Sequence, residues 1–293
     1  MSFESLMAEL QRLTVSVETL AALGAQLRFL QNGLAGDSRV RALLNDVVRA
    51  IDPQLLEDIE QNQQAVALAL IQTMFRQGLD LLENPERVPG WGYQDPDILQ
   101  SQGQASPLIV HWIEALAAQR PELSKVLRRS GAFLDVGTGV GWLAIEAARS
   151  WPALRVVGID PWEPALTLAR KNLAHSGLVE RVELRPQRVE RLEETATFTL
   201  AWVPAPFISA EVVDHALEHV RCALAPGGWL IVGLYPLPSA PLDHALTCLR
   251  IVRSGGHPWT SEEVEEKLRA LVFEQIEVYS PAPPIALVVA QRP

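Results

Sequence analysis

The chain has 293 residues, 48% apolar and 20% charged, which is enough for a filled core and, at roughly 100–200 residues per domain, for two domains. Its formal charge is −10 with no run of Lys and Arg, which disfavours nucleic acid as a partner because phosphate neutralisation dominates that affinity. Cys222 and Cys248 stand without CxxC or Cys/His spacing, so no metal site is expected and the thiols fit a reducing compartment. The opening "MSFESLMAEL" lacks the basic region and apolar core of a signal peptide, and no apolar run approaches about 18 residues; the expectation is a cytoplasmic protein with no membrane partner.

Residues 1–125 read as an all-helical domain. Leu6, Leu10, Leu13, Val17, Leu20 and Leu27 form an a/d-type seam with Gly24 at the skipped position. Such a seam can pack on a second copy of the chain or simply on its own domain; the first gives a homodimer through the N-terminal helices. A second helix starts at Asp37 or Ser38 and carries Val40, Leu43, Leu44, Val47 and Val48 on one face. Asp52–Pro53 offers a further cap, and a third tract holds Val66, Leu70, Met74 and Phe75. "NPERVPGWGYQDPD" is a loop bearing Trp91 and Tyr93, and a helix over 106–119 comes next.

From Phe133 strands alternate with helices. Strands are expected at 132–136, 155–159, 181–185, 198–203, 228–234, 273–279 and 285–290, the last two joined by "SPAPP". Thr260 and Glu263 form a capping box before the final helix. The alternation predicts an α/β domain over 126–293 with a parallel sheet covered on both faces and an antiparallel hairpin at one edge.

The stretch "FLDVGTGVGWLAIEAA" gives strand, glycine-rich turn and helix. A dinucleotide turn needs G-x-G-x-x-G or A, but Trp142 stands in the third place; a phosphate-binding loop needs a Lys that is missing. Asp135 at the strand end would repel a diphosphate and attract an ammonium. Asp160, ending the next strand in "LRVVGIDPW", can accept both hydroxyls of a ribose. Ammonium plus ribose without phosphate describes S-adenosylmethionine.

With these residues in place, the chain resembles the class I S-adenosylmethionine-dependent methyltransferases from about Gly131 to Pro293, through "LDVGTGVG", "GIDPW" and "LAPGGWLIVGLY". The resemblance implies a Rossmann-like seven-stranded sheet of order 3-2-1-4-5-7-6. It implies that Asp135, Gly137, Thr138, Gly139 and Gly141 hold the methionine end, that Asp160 and Trp162 face the ribose and adenine, and that Gln187 with its neighbour Arg188 lies at the adenine position where many relatives have Asp. Gln104, in "QSQGQASP" ahead of the first motif, is a candidate closing residue.

The acceptor side is less defined. Pro204-Ala205-Pro206-Phe207 lacks the polar amide that relatives acting on base amines or protein glutamine place there. His257, in the glycine-rich "RSGGHPWT", is the candidate proton acceptor, because neutral His can take a hydroxyl proton. Trp202, Tyr235, Trp259 and His111 are candidate acceptor contacts. By resemblance to small-molecule enzymes with N-terminal helices, the expected function is methyl transfer to a small, aromatic or apolar metabolite, at oxygen first, with nitrogen or carbon as alternatives. Competing readings of the scaffold are a non-methylating enzyme, a non-catalytic binding protein and a nicotinamide oxidoreductase; Trp142 and Asp135 argue against the last.

Overall fold

In the computed structural model, which describes all residues except Met1, Leu34, Ala35, Pro283 and Pro284, the chain divides into two units, Met1–Pro85 and Glu86–Pro293. The first unit holds α1 (Phe3–Asn32), α2 (Ser38–Ile51) and α3 (Gln61–Glu83). Each start is capped as its sequence prescribes: Ser2 accepts from the Ser5 N–H, Asp37 accepts from Arg39 and Val40, and Glu60 with Gln63 closes a capping box. Gly24 lets α1 lie against Ile71 of α3; a Cβ there would stand 3.1 Å from the Ile71 Cγ2. The leucine seam is split by this packing. Gly24 and Leu27 are buried, whereas every residue from Ser2 to Glu18 is exposed, Leu6, Leu10, Leu13 and Val17 included.

One expectation for this unit changes. Asp52 does not open a helix: its N–H donates to the Val48 carbonyl, so it closes α2, and its carboxylate accepts from Gln54 to begin a series of turns. An 18-residue window of α3 has mean hydropathy 1.2, apolar enough by length and composition alone to cross a membrane, a property that core helices of soluble proteins share.

The second unit begins with three helices, α4 (Pro96–Gly103), α5 (Pro107–Ala118) and α6 (Pro121–Arg128). It continues through β1 (Gly131–Val136), α7 (Trp142–Ser150), β2 (Leu154–Ile159), α8 (Glu163–Ser176), β3 (Val182–Arg185) and β4 (Phe198–Pro204). It ends with α9 (Ala210–Ala223), β5 (Leu224–Leu234), α10 (Pro241–Arg253), α11 (Ser261–Ala270), β6 (Glu274–Ala282) and β7 (Ile285–Gln291). Among the described residues the strands form one sheet of order β3-β2-β1-β4-β5-β7-β6, with β7 antiparallel to both neighbours and the β1–β5 pairings parallel. The order and the antiparallel hairpin are as the resemblance implies; Pro283 and Pro284 of the "SPAPP" joint lie outside the described residues.

Alternation along β1 sends Leu134 and Val136 to one face and Phe133 to the other. The first face packs under α9 and α11 through Val213, Leu217, Val220, Val264 and Leu268. The second packs under α5, α6 and α7 through Ile113, Leu123, Leu143 and Ile145. This is why the division falls at residues 85/86 rather than at the expected 125/126: the apolar sides of α5 and α6 complete the core of the sheet. The loops at the carboxyl ends of β1, β2, β4 and β5 converge on one edge, where open α/β sheets hold ligands.

Candidate cofactor and acceptor site

Gly137, Gly139 and Gly141 all have left-handed backbone, with φ of 67°, 55° and 84°, which β-carbon-bearing residues rarely adopt. The turn is tied to the neighbouring strand: the N–H groups of Gly137 and Thr138 both donate to the Ile159 carbonyl, at 2.9 and 3.1 Å. Gly158 makes room for Thr138, since a Cβ there would lie 2.6 Å from the Thr138 Oγ1. Thus seated, Thr138 donates to Asp135 at 2.6 Å.

Asp135 is 1% exposed. Its carboxyl is pushed up to about 7, by burial first, against the pull of the Thr138 hydroxyl and with a further push from Asp160. Asp160 is also buried and shifted upward by desolvation, although it accepts from the Gly139 N–H at 2.9 Å and from the Trp162 N–H at 2.7 Å. Asp160 therefore locks the two βα turns together while keeping acceptor capacity on each oxygen. Two desolvated carboxylates with no ion pair to a cation among the described residues form a site that gains from a bound ammonium and from hydroxyl donors. That pair of acceptors fits the methionine amine and ribose of S-adenosylmethionine.

Of the remaining cofactor candidates, Gln187 and Trp162 are bonded to Asp160. Gln187 comes after β3, with its N–H on the Asp160 and Arg185 carbonyls and its side-chain amide on the Arg191 carbonyl. Arg188 is exposed, and Gln104 is the exposed C-cap of α4. Trp162 opens α8, and its indole N–H donates to the Tyr93 carbonyl at 2.7 Å.

On the acceptor side three candidates are corrected. Trp202 is core: it is 5% exposed among Phe133, Leu200, Trp229 and Ile231, and its ring fills the place a side chain on Gly233 would take. Trp259 is buried against the core of the opposite face, with the Lys267 ammonium 4.7 Å over its ring. His111 lies on the exposed side of α5 with Nδ1 3.0 Å from the Pro107 carbonyl, turned away from the sheet's core. Tyr235, by contrast, comes directly after β5, half-buried, with its phenol pushed up by burial and its ring 6.5 Å edge-on to Phe207. His257 is half-buried, its ring 4.3 Å from that of Trp259 and tilted 51° to it, and lines a cavity of about 390 Å³ with Pro89, Ser209, Glu211 and Val252.

Residues 133–228 match the family model described as "Methyltransferase domain". Over those residues, a third of the chain, it carries a methyltransferase domain. The chain is 31% identical over 178 residues to a ribosomal protein L11 methyltransferase of Sorangium cellulosum, covering 55% of this chain and 54% of that protein. It thus spans about half the length of that curated relative. In fold it is similar to an O-methyltransferase family protein from Burkholderia thailandensis, with TM-score 0.69 at 14% identity over 100% of this chain and 98% of that one. It is likewise similar to PigF, solved with SAH, with TM-score 0.66 at 18% identity over 100% of both chains.

The second unit also holds residues that sequence reasoning passes over. Trp91 stands edge-on to both Tyr93 and Phe207, at 5.2 and 5.4 Å, so that a row Tyr93–Trp91–Phe207–Tyr235 runs across the loops after β4 and β5. The row is fixed by glycine contacts: Gly90 donates to the Arg253 carbonyl, Gly255 lies on Gly90, and Gly256 lies on the Pro206 carbonyl. Trp142, in sequence only a misfit to the dinucleotide pattern, donates its indole N–H to Gln100 of α4 at 2.9 Å. The aromatic and Gly-Pro character of the 85–93 loop is the signal the sequence offers; its partners are not written there.

Proposed function

We propose that the protein transfers a methyl group from S-adenosylmethionine to a small, flat, aromatic or apolar metabolite, working in the cytoplasm as a homodimer joined by its N-terminal helices. The observation that carries the acceptor class is the aromatic row Tyr93–Trp91–Phe207–Tyr235 at the carboxyl edge of the sheet, which offers ring edges and faces to a planar guest. Bound there, S-adenosylmethionine supplies an electrophilic methyl on a sulfonium. Asp135 and the turn from Gly137 to Gly141 hold the amino-acid end, Asp160 the ribose, and Trp162, Gln187, Arg188 and Gln104 border the nucleoside. The protein's part is alignment and exclusion of water. Oxygen is the proposed acceptor atom, and His257 the proposed proton acceptor, held beside Glu211, whose carboxylate is lowered by the Ser209 hydroxyl first and by His257 among further causes.

A protein acceptor is the second reading, favoured by the 31% identity to an L11 methyltransferase. Calorimetry with S-adenosylmethionine, with Asp135→Ala and Asp160→Ala as controls, tests the cofactor site. Methyl-labelled S-adenosylmethionine offered with a panel of small phenols, or with ribosomal protein L11, then separates the acceptors. Label only in L11 overturns the small-molecule reading, and label only in a phenol overturns the protein one.

A further inference from the structure

Trp142 opens α7 directly after the glycine turn, and Trp162 caps α8 directly after Asp160. The two indoles thus rise from the two βα turns that make the cofactor cradle. Both donate their N–H to one short stretch of chain: Trp162 to the Tyr93 carbonyl at 2.7 Å, Trp142 to the Gln100 Oε1 at 2.9 Å. Gln100 is held in turn by Asn172 of α8, through a reciprocal pair of amide bonds at 3.0 and 3.1 Å, while the Asn172 amide also donates to the Val140 carbonyl inside the glycine turn. α4 sits hard on that turn, because a Cβ on Gly103 would lie 2.3 Å from the Val140 Cγ2. Leu99, Val140 and Ala165 form the buried centre of this contact, with Trp91, Tyr93, Trp142 and Trp162 packed around it.

We infer that Trp142 and Trp162 are positioning residues: their indole N–H groups staple residues 91–103 over the cradle, and the staples set how long the cofactor and its product stay bound. The inference rests on the S-adenosylmethionine reading of the cradle. It gives a reason for tryptophan, rather than another large apolar residue, at both helix starts, since packing alone needs no donor. Neither indole bond involves the carboxylates, and the Trp162 backbone N–H that holds Asp160 survives a change of side chain, so losing one staple loosens the cover while leaving Asp135 and Asp160 in place.

The test compares the wild-type chain with Trp142→Phe, Trp162→Phe and Gly103→Ala, using S-adenosylmethionine and S-adenosylhomocysteine as probes in stopped-flow binding. Each Phe variant should release both probes about three- to tenfold faster, the worth of one hydrogen bond, with association rates nearly unchanged. Gly103→Ala, whose methyl would stand 2.3 Å from Val140 and 3.3 Å from the Trp142 ring, lifts α4 while keeping both indole N–H groups, and should do the same. Hydrogen exchange of residues 91–103 in the ligand-free protein should rise in all three. If Trp142→Phe does not fold, Gln100→Leu removes the same bond from the other side. Dissociation rates and exchange equal to wild type in the folded variants overturn the inference while the cofactor reading stands. Absence of binding by the wild-type chain overturns both.

Discussion

Asp135 is a carboxyl group nearly sealed from water, and its elevation to about 7 makes it a proton switch within the physiological range. In the unfolded chain it titrates near its ordinary value of 3.8. Between the two values the folded state holds a proton that the unfolded state has lost, so stability without ligand falls as pH rises through that window, by about 4 kcal/mol in full. Asp135→Asn should reduce that slope, read as urea midpoints between pH 4 and 8, leaving the share that Asp160, also raised by burial, contributes. Cofactor binding runs the other way, since the ammonium favours the charged carboxylate. Affinity for S-adenosylmethionine should rise as pH climbs towards about 7, up to tenfold per unit, and decline once the ligand's own amine deprotonates near about 8; a flat calorimetric profile would contradict this. The placement of Asp135 and Asp160 at the ends of β1 and β2 is legible in the sequence because each closes an apolar strand beside a turn. Trp202 and Trp259 are not, because a tryptophan at the edge of a strand or loop can face core or pocket, and only the neighbouring elements decide.

At the scale of elements, the same dipeptide gives two outcomes. Asp95–Pro96 opens α4, whereas Asp52–Pro53 ends α2 and leads into turns. Both carry the capping signal; the difference lies in the residues downstream, since Ile98 and Leu99 are buried while none of residues 53–60 is. A helix as short as α4 is made by its packing rather than its propensity, which is why it and α6 could not be bounded from sequence. Strand packing shows a similar dependence. A methyl on Gly233 of β5 would stand 2.1 Å from the Trp202 Cη2 of β4, so Gly233→Ala should cost roughly 1–3 kcal/mol by overpacking, measured by chemical denaturation. Val272, a β-branched residue at φ 58° just after α11 and 61% exposed, is strained without buried contacts to repay it. Val272→Gly should stabilise by about 1 kcal/mol, seen as a raised Tm.

For the whole molecule, the alternation of strands and helices makes a parallel sheet covered on both faces legible, whereas the strand order comes from the resemblance to the class I methyltransferases. The N-terminal unit is legible as helices but not as an assembly. Its leucine seam is half consumed inside the unit at Gly24 and Leu27 and half exposed, and Val40, Leu43 and Ile51 of α2 are exposed as well. An apolar surface of this extent on a chain with net charge −10 calls for a cover, and a second copy can supply it. Leu10→Glu with Leu13→Glu should lower the mass seen by light scattering to that of one 32.3 kDa chain while leaving calorimetric binding of S-adenosylmethionine intact. An unchanged mass would remove the seam from the interface.

The paired indoles at the cradle also make the protein its own optical reporter. Trp151, Trp202, Trp229 and Trp259 are buried and emit as a constant background, whereas Trp142 and Trp162, half-exposed like Trp91 and Trp112, rise from the two βα turns of the proposed cradle. Quenching of their emission by a stacked adenine or a nearby sulfonium would let occupancy be followed in real time without a label.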